Sequence, residues 1–489
     1  MRLSKTEPPS ERSTPVANTR RAAAVGGRIV SGIVGLALAG AAVFAAGTVQ
    51  LPDLGREAPR TSITPEGASQ LRACAGPLLQ LASTDTALAA VQSIGAANTT
   101  LSGRDAAQEP LASPDNTSGD ASGLPLRLTA PTDDSSDAAA LLAGAQSQFA
   151  DQENVFGAAA ADCAEPSANS WVVAGSTEVG RTSLLVLTNP TAQDAVVDLE
   201  FSGENGPIQA PGSQGIIVQT GQQKVFSLAA FAPNVVMPVV HVTTRGGQVS
   251  AVIQQSVVRG LTPTGVDWAG ATVAPRTEVT IPGFVVPGDI PASANDDAYD
   301  DQAPVIRVFV PGEDDADVAL NFIGEGDGQN APAPLSVTVP HQSAGEINLA
   351  SLDPGNYTIV MTSTQPLVAA GRSTAVAGDK SDFAWSPASD ALGAAASFAV
   401  PAGQNPVLHL SNPGSTALDA TLDGGGENRS LTVMPGTAVT VPLKENSGYT
   451  LTGAVGAFGR VVYSGDRGIA GFSIAPTNPA ADTVTVYVR

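Results

Sequence analysis

Beyond residue 168 apolar and polar residues alternate along most of the chain, the period of two that sends successive side chains to opposite faces of a strand. In "VLTNPTAQDAVVDLEF", which starts at Val186, Val197, Leu199 and Phe201 share one face while Val196, Asp198 and Glu200 share the other. That pattern predicts a sheet with one buried and one wet side. The stretch reads as strand, tight turn, strand, and Asn189-Pro190 ends the first strand because proline cannot donate to a ladder. "GIIVQTGQQKVFSL" (Gly215–Leu228) predicts a second pair around a Thr-Gly turn. "MPVVHVTTRGGQVSAVIQQS" (Met237–Ser256) predicts a third around Gly246-Gly247, and "GVDW", ending at Trp268, closes the set.

The set recurs. "VIRVFVPGEDDADVALNFI" (Val305–Ile323), "PLSVTVPHQSAGEINL", "YTIVMTSTQPLVAAGRS" and "DFAW", ending at Trp385, keep its order. "LHLSNPGSTALDATLD" from Leu408, "SLTVMPGTAVTVPL" and "YTLTGAVGAFGRVVYSGDRGIAGFSI" keep it again, with Asn412-Pro413 in the place of Asn189-Pro190. The period of roughly 100–120 residues, with about six or seven short strands in each pass, suits a small sandwich domain rather than a solenoid repeat. The expected fold class is therefore all-β, with about three tandem antiparallel β-sandwich modules at 168–275, 276–390 and 391–489. One hairpin is written several times because a domain was duplicated. The second module carries an acidic insertion, "ASANDDAYDDQ" (Ala292–Gln302), which reads as a solvated loop.

Upstream the pattern changes. Ile29–Gly47, "IVSGIVGLALAGAAVFAAG", is an uncharged run of about 19 residues, close to what the hydrocarbon core of a bilayer requires. Arg12, Arg20, Arg21 and Arg28 precede it, and no basic residue follows until Arg56. The bias places a basic tail, 1–28, in the cytoplasm, a single transmembrane helix at 29–47, and the bulk of the chain outside the cell membrane. A cleavable signal ending near Val43-Phe44-Ala45 is the alternative; the long Arg-bearing head and the length of the apolar run favour an uncleaved anchor.

Export changes how the cysteines read. Cys74 and Cys163 are the only two in the chain, an even count in an oxidising compartment, which predicts a disulfide closing a loop of about 90 residues. Such a loop would stabilise the fold by about 4 kcal/mol in the chain-entropy account. Between them the chain is rich in Ser, Asp and Gly, as in "SGRDAAQEPLASPDNTSGDASG", so residues 48–167 are expected to be a polar, partly disordered excursion pinned at its base. A short helix is expected at Asp137–Ala145.

The net charge of −22 argues against a nucleic-acid role, since phosphate neutralisation needs Lys and Arg. It also argues against docking of the folded part on anionic lipid. A hydrophobic share of 43% is enough for real cores, and with aromatics at 4% those cores must be mainly Val, Leu, Ile and Ala.

Trp171–Gly215 and "RGLTPTGVDW" (Arg259–Trp268) resemble an uncharacterised family of actinobacterial envelope proteins known as a domain of unknown function, and "CAGP" at Cys74 and "DCAEP" at Cys163 resemble its paired cysteine segments. The likeness runs from about Cys74 onward and is sharpest between Trp171 and Trp268. It implies a single-pass exported protein and carries no activity or catalytic residue.

Candidate chemistry is sparse. His241, His341 and His409 are scattered one to a module, with no pair at ligand spacing, so no zinc site is expected. No serine sits in a nucleophile elbow; "PGSQG" at Pro211 lacks the first glycine. "NDDAYDD" and "GEDDADV" do not match a calcium loop, and "GEGDG" from Gly324 lacks the lysine of a phosphate cradle. Trp268 and Trp385 recur at module ends, where an inter-module plug is favoured over a contact surface for sugar. The expected function is thus non-catalytic and cofactor-free: a membrane-anchored extracytoplasmic scaffold holding an envelope partner, such as a surface-polysaccharide enzyme. A carbohydrate-binding or adhesion module is the alternative.

Overall fold

A computed structural model describes residues 60–63, 70–82, 90–118, 123–131, 141–288, 301–326, 331–377, 380–476 and 484–487. The expected membrane anchor at 29–47 and most of the acidic insertion lie outside them. Among the described residues there is no α-helix, and none long and apolar enough to cross a membrane. The chain divides into two compact units, a small one of residues 1–64 with 483–489 and a large one of residues 65–482. Strand β1 (Arg60–Ile63) belongs to the small unit; the large unit begins at the next strand.

The large unit repeats one topology four times. It is plainest in the fourth repeat; in chain order the first comprises β2 (Gln70–Cys74), β3 (Leu79–Leu81), β4 (Val91–Ser93), β5 (Asn98–Ser102), β6 (Ala107–Pro110), β7 (Leu126–Ala130), β8 (Ala143–Asp151) and β9 (Phe156–Asp162). The second comprises β10 (Asn169–Val173), β11 (Arg181–Asn189), β12 (Ala195–Gly203), β13 (Gly206–Ile208), β14 (Ile216–Val218), β15 (Gln222–Ser227), β16 (Val239–Gly246), β17 (Ser250–Arg259) and β18 (Thr262–Ala269). The third comprises β19 (Arg276–Val286), β20 (Val305–Phe309), β21 (Ala316–Glu325), β22 (Leu335–Val339), β23 (Ala344–Asn348), β24 (Gly355–Ala377) and β25 (Lys380–Pro387). The fourth comprises β26 (Ala395–Val400), β27 (Val407–Asn412), β28 (Leu418–Gly424), β29 (Glu427–Val433), β30 (Thr437–Pro442), β31 (Ser447–Thr452), β32 (Phe458–Gly465) and β33 (Gly468–Ser473).

In the fourth repeat, with its strands counted as positions 1 to 8, one sheet has the order 1-6-3-4 and the other 5-2-7-8. The second repeat has the same two orders, with β13 and β14 sharing position 4. The third has them too, because the 23-residue β24 serves as positions 6 and 7. It pairs with β19 and β21 through its first half and with β20 and β25 through its second, and Pro366 stands where it changes sheets. That is a tolerable place for a residue without an N–H.

The first repeat follows the same plan in reduced form. Its sheets run β2-β7-β6 and β5-β8-β9, which are the orders 1-6-3 and 2-7-8 with positions 4 and 5 missing and the β3–β4 hairpin added between 1 and 2. A second feature confirms the equivalence. In the first three repeats an antiparallel bridge ties strand 1 to the chain just past strand 8: Ala73 to Ala164, Trp171 to Thr272 and Thr280 to Ser389. The disulfide Cys74–Cys163 lies beside the first of these bridges. The described part of 48–167 is therefore a folded sandwich with its own core rather than a loose excursion, and Ala143–Ala145, expected in a helix, open strand β8. Three modules are expected from the sequence; the strand order recurs four times among the described residues, in shortened form before residue 168.

Alternation holds where it was read. Along β12, Val197, Leu199 and Phe201 are buried and Glu200 is exposed, as a two-sided strand requires. The Asn-Pro turns also match between repeats. The Asn189 amide donates to Gln193 and Val218 carbonyls, and the Asn412 amide donates to Thr416 and Val433 carbonyls. Each asparagine is buried and pins its hairpin to the neighbouring strand, which explains why the same dipeptide is written twice.

The four repeats close into a ring. Apolar clusters join the first to the second (Leu78, Val155, Val266, Trp268), the second to the third (Leu187, Ile253, Phe383, Trp385), the third to the fourth (Ala384, Val462, Ile469) and the fourth to the first (Tyr463, Ala470, Ala145, Ala160). Strand 8 of every repeat faces the middle of the ring. In the small unit β1 pairs antiparallel with β34 (Val484–Tyr487), Arg60 opposite Tyr487 and Ile63 opposite Val484.

Candidate functional site

The four innermost strands meet at one carboxylate. Asp382, in β25, is fully buried, and its carboxylate accepts hydrogen bonds from main-chain amides of the other three repeats. Ala158 N–H (2.9 Å) and Ile469 N–H (3.1 Å) donate to Oδ2, and Val266 N–H (3.2 Å) donates to Oδ1. These donors occupy equivalent places, each following a glycine near the start of its strand: Gly157, Gly265 and Gly468. The three glycines share one backbone conformation, with φ of 132°, 128° and 123°. A Cβ on Gly157 or Gly468 would collide with the Asp382 carboxylate, and one on Gly265 with the neighbouring Phe383 ring. In the third repeat Asp382 itself stands at the glycine place and Phe383 at the donor place, as "DFAW" set against "GVDW" shows, so that repeat supplies the acceptor and the other three supply donors. Burial pushes the Asp382 carboxyl up to about 8, against the amides, which favour the ionised form.

Next to it, Trp385 is gripped from two sides. Its N–H donates to Asp267 Oδ2 of the second repeat (2.7 Å), and its carbonyl accepts from Arg460 Nη2 of the fourth (2.8 Å). The indole N–H donates to Gln255 Oε1 (2.8 Å), and the Arg307 guanidinium lies 4.8 Å from the ring centre. Arg307 itself donates to Gly175 O and is paired with Glu346 (2.8 Å). Burial raises the Asp267 carboxyl well above the usual range and lowers Arg460 to about 10. These charged groups span repeats, so their work is cohesion.

Trp268 is 2% exposed and Trp385 0% exposed, each inside an inter-repeat cluster. As a contact surface they are corrected by this burial: both are plugs, because strand 8 faces the ring interior. Cys74 and Cys163 are joined as expected. The histidines have local partners and do not approach one another. His241 stacks on Trp171 at 4.0 Å and meets Glu200 (2.9 Å) and Asn169 (3.1 Å). His341 meets Asp315 (2.6 Å), which its hydrogen bonds hold below the usual carboxylate range. His409 is buried against Glu325, the glutamate of "GEGDG", across the third–fourth junction.

The end of the acidic insertion also departs from a solvated loop. Asp301 is 6% exposed and bridges Arg181 (3.0 Å) and Arg259 of the second repeat. Burial alone would raise its carboxyl, but these arginines hold it below the usual range. Among the described residues no three His, Cys, Asp or Glu side chains gather as a metal site.

Two cavities among the described residues lie between repeats. One, of about 150 Å³, lies at the end of the ring axis, where Asp162, Thr272, Ser389 and Ser473 converge. The hydroxyls of Ser389 and Ser473 have no hydrogen-bond partner there, and burial raises the Asp162 carboxyl against the pull of Arg72. The other, of about 310 Å³, opens between the first and fourth repeats beside Phe149, Tyr463 and Arg467. Burial raises the Tyr463 hydroxyl, which donates to Pro401 O (3.1 Å).

Sequence reasoning missed the axis. Its signal was a glycine at the head of the last strand in three repeats and Asp382 in the glycine's place in the other, visible only once those strands are aligned.

Among solved structures, the chain is similar to an Anabaena sensory rhodopsin transducer over 20% of its length and 97% of that chain, at 15% identity and a TM-score of 0.16. It is also similar to the BSP domain of a biofilm associated protein over 87% of its length and 99% of that chain, at 9% identity and a TM-score of 0.10. Likenesses this distant say nothing of activity. No curated protein matches in sequence. The model of a family of unknown function, DUF5719, matches residues 112–444, from the first repeat into the fourth, and the chain belongs to that family.

Proposed function

We propose that the protein is a non-catalytic scaffold of the bacterial cell envelope, anchored in the cell membrane by Ile29–Gly47 with the ring outside the cytoplasm. The observation that carries this reading is the use of its buried ionisable groups. Asp382, Asp267, Arg460, Arg307 and Asp301 all bind across repeats, which builds a rigid body for holding a partner. The disulfide favours an oxidising compartment, and the apolar run after a basic head favours a tether. The partner class is an envelope protein, for example an enzyme of surface-polysaccharide assembly.

In-cell crosslinking followed by affinity capture and mass spectrometry tests the reading. One dominant membrane protein in stoichiometric amount is expected; a protein recovered alone from crosslinked membranes refutes it. A second reading, binding of carbohydrate, is favoured by one observation, the aromatic-walled cavity between the first and fourth repeats.

A further inference from the structure

The fourth–first junction differs from the other three in how it is made. Short stretches of chain join the first repeat to the second, the second to the third and the third to the fourth; no linker crosses from the fourth back to the first. Closure there rests on side-chain contacts, such as Ser397 Oγ donating to Ser102 Oγ (3.0 Å) and Ser147 Oγ donating to Ala402 O. The 310 Å³ cavity lies in this junction, within the size range of small-ligand sites.

Its walls have a mixed chemistry. The floor is formed by alanines of β9 and β33, small and apolar. Phe149 is 39% exposed, and Phe156 meets it edge-on at 5.8 Å, which fixes the plane of its ring. The Arg467 guanidinium lies 5.4 Å from the ring centre and pairs with no carboxylate among the described residues. Asn98, Gln404 and Glu445 also line it. The lining therefore offers guanidinium donors, a carboxylate acceptor and amides that can do either, and the opposite charges of Arg467 and Glu445 balance.

We propose that this cavity binds the pyranose ring of a neutral sugar. A pyranose has an apolar C–H face, which packs on an aromatic ring, and hydroxyls that donate and accept at once, which suits a rim carrying both functions. An anion would leave Glu445 opposed and a cation would leave Arg467 opposed. An occupant touches both repeats, so binding also strengthens ring closure. The inference rests on the carbohydrate reading and is independent of the scaffold reading.

The test is saturation-transfer NMR on the full chain in a sugar-free detergent, with the methyl pyranosides of glucose, galactose and mannose at millimolar concentration as probes. Transfer to at least one is expected, weakened by at least about tenfold in Phe149→Leu and Arg467→Gln. Phe149→Leu keeps apolar volume while removing the aromatic face, and its hydrogen-exchange profile without sugar serves as the folding control. With sugar, protection should rise in β9 and β33 of the wild type. No transfer to any of the three probes, or transfer that survives Phe149→Leu, overturns the site. Transfer that survives there and is lost in Trp171→Ala would preserve carbohydrate binding and move it to the Trp171–His241 stack. The captured partner decides the scaffold reading separately.

Discussion

Replacing Asp382 by asparagine tests whether the ring is held by one buried carboxyl. Asparagine keeps the shape but cannot ionise. Its oxygen can take the place of Oδ2 and accept from Ala158 and Ile469, which turns its NH₂ toward the Val266 N–H. One buried amide loses its acceptor, at a cost of about 1–3 kcal/mol. The wild-type carboxyl has a folded pKa of about 8 against an unfolded value of about 3.9. A group raised in this way contributes stability that is complete below about pH 4 and is lost as pH rises through about 8. Over that window wild-type stability falls by about 1.4 kcal/mol per pH unit relative to the variant, on the order of 5 kcal/mol in all. Asp382→Asn should therefore be the less stable protein near pH 4, cross the wild type at about pH 5–6, and be the more stable one above about pH 7. Urea unfolding of both proteins at one-unit steps between about pH 5 and pH 9 reads the difference directly. Asp162, whose carboxyl burial also raises, is present in both proteins and largely cancels, whereas Asp267, raised by burial and in part by the Asp382 charge, is relieved of that charge in the variant, which adds to the variant's advantage at high pH. Parallel stability curves across this range would refute the assignment of the pH dependence to Asp382.

Gly468→Ala should destabilise by about 2–5 kcal/mol, since φ is 123° and the new methyl meets Asp382; Gly456→Ala, at φ 85° with open space around it, should cost only the backbone strain of about 1–2 kcal/mol. Equal urea midpoints for the two variants would sink the close-packed axis. Removing the disulfide by Cys74→Ser with Cys163→Ser opens a loop with a sequence separation of 89 and should cost about 4–5 kcal/mol, with exchange protection lost first in β2–β9; uniform loss across all four repeats would contradict a local staple. Arg307→Ala should cost about 3–5 kcal/mol because Glu346 stays buried without its cation, and Arg307→Met paired with Glu346→Leu should recover much of that loss in thermal unfolding. A double variant no better than Arg307→Ala alone would place the loss in packing on Trp385 instead.

How far the sequence was legible depended on side-chain type. The second and fourth repeats are written in Val, Ile, Leu and Thr with turn residues at hairpin ends, so alternation and order could be read directly. The third was legible in order but not in its sheet change, because β24 carries no turn signal beyond Pro366. The first repeat was hidden by composition. Its inner strands, "AGAQSQFAD" and "FGAAAAD", use alanine, glycine and glutamine, which carry little strand preference, and its buried polar residues resemble a solvated segment. Gln146 and Gln148 explain why: each is buried and satisfies backbone groups of the β2–β3 connection, Gln146 at Gly76 and Gln148 at Leu78. Polarity there reports a hydrogen-bonded interior, and only pairing partners distinguish it from exposure. The trptophan plugs were legible as repeat markers, whereas the axial carboxyl was one acid among many in a chain of net charge −22.

The reduced first repeat gives the disulfide a physical reason for its position. Without strands at positions 4 and 5, its sheets have three strands each, while the fourth repeat has two sheets of four. Less apolar surface is available to bury, and one core cluster of that repeat consists of Leu128, Ala130, Leu142 and the two cysteines themselves. A small core stabilises weakly, and a covalent link that lowers the entropy of the unfolded chain offsets the deficit without needing more apolar residues. The link joins the end of strand 1 to the residue just past strand 8, the place where the second and third repeats need only a backbone bridge. It therefore reinforces the repeat at the edge nearest the ring axis. There β9 must present Ala158 N–H to Asp382, and a fraying first repeat would leave both the donor and the fourth–first closure unsupported.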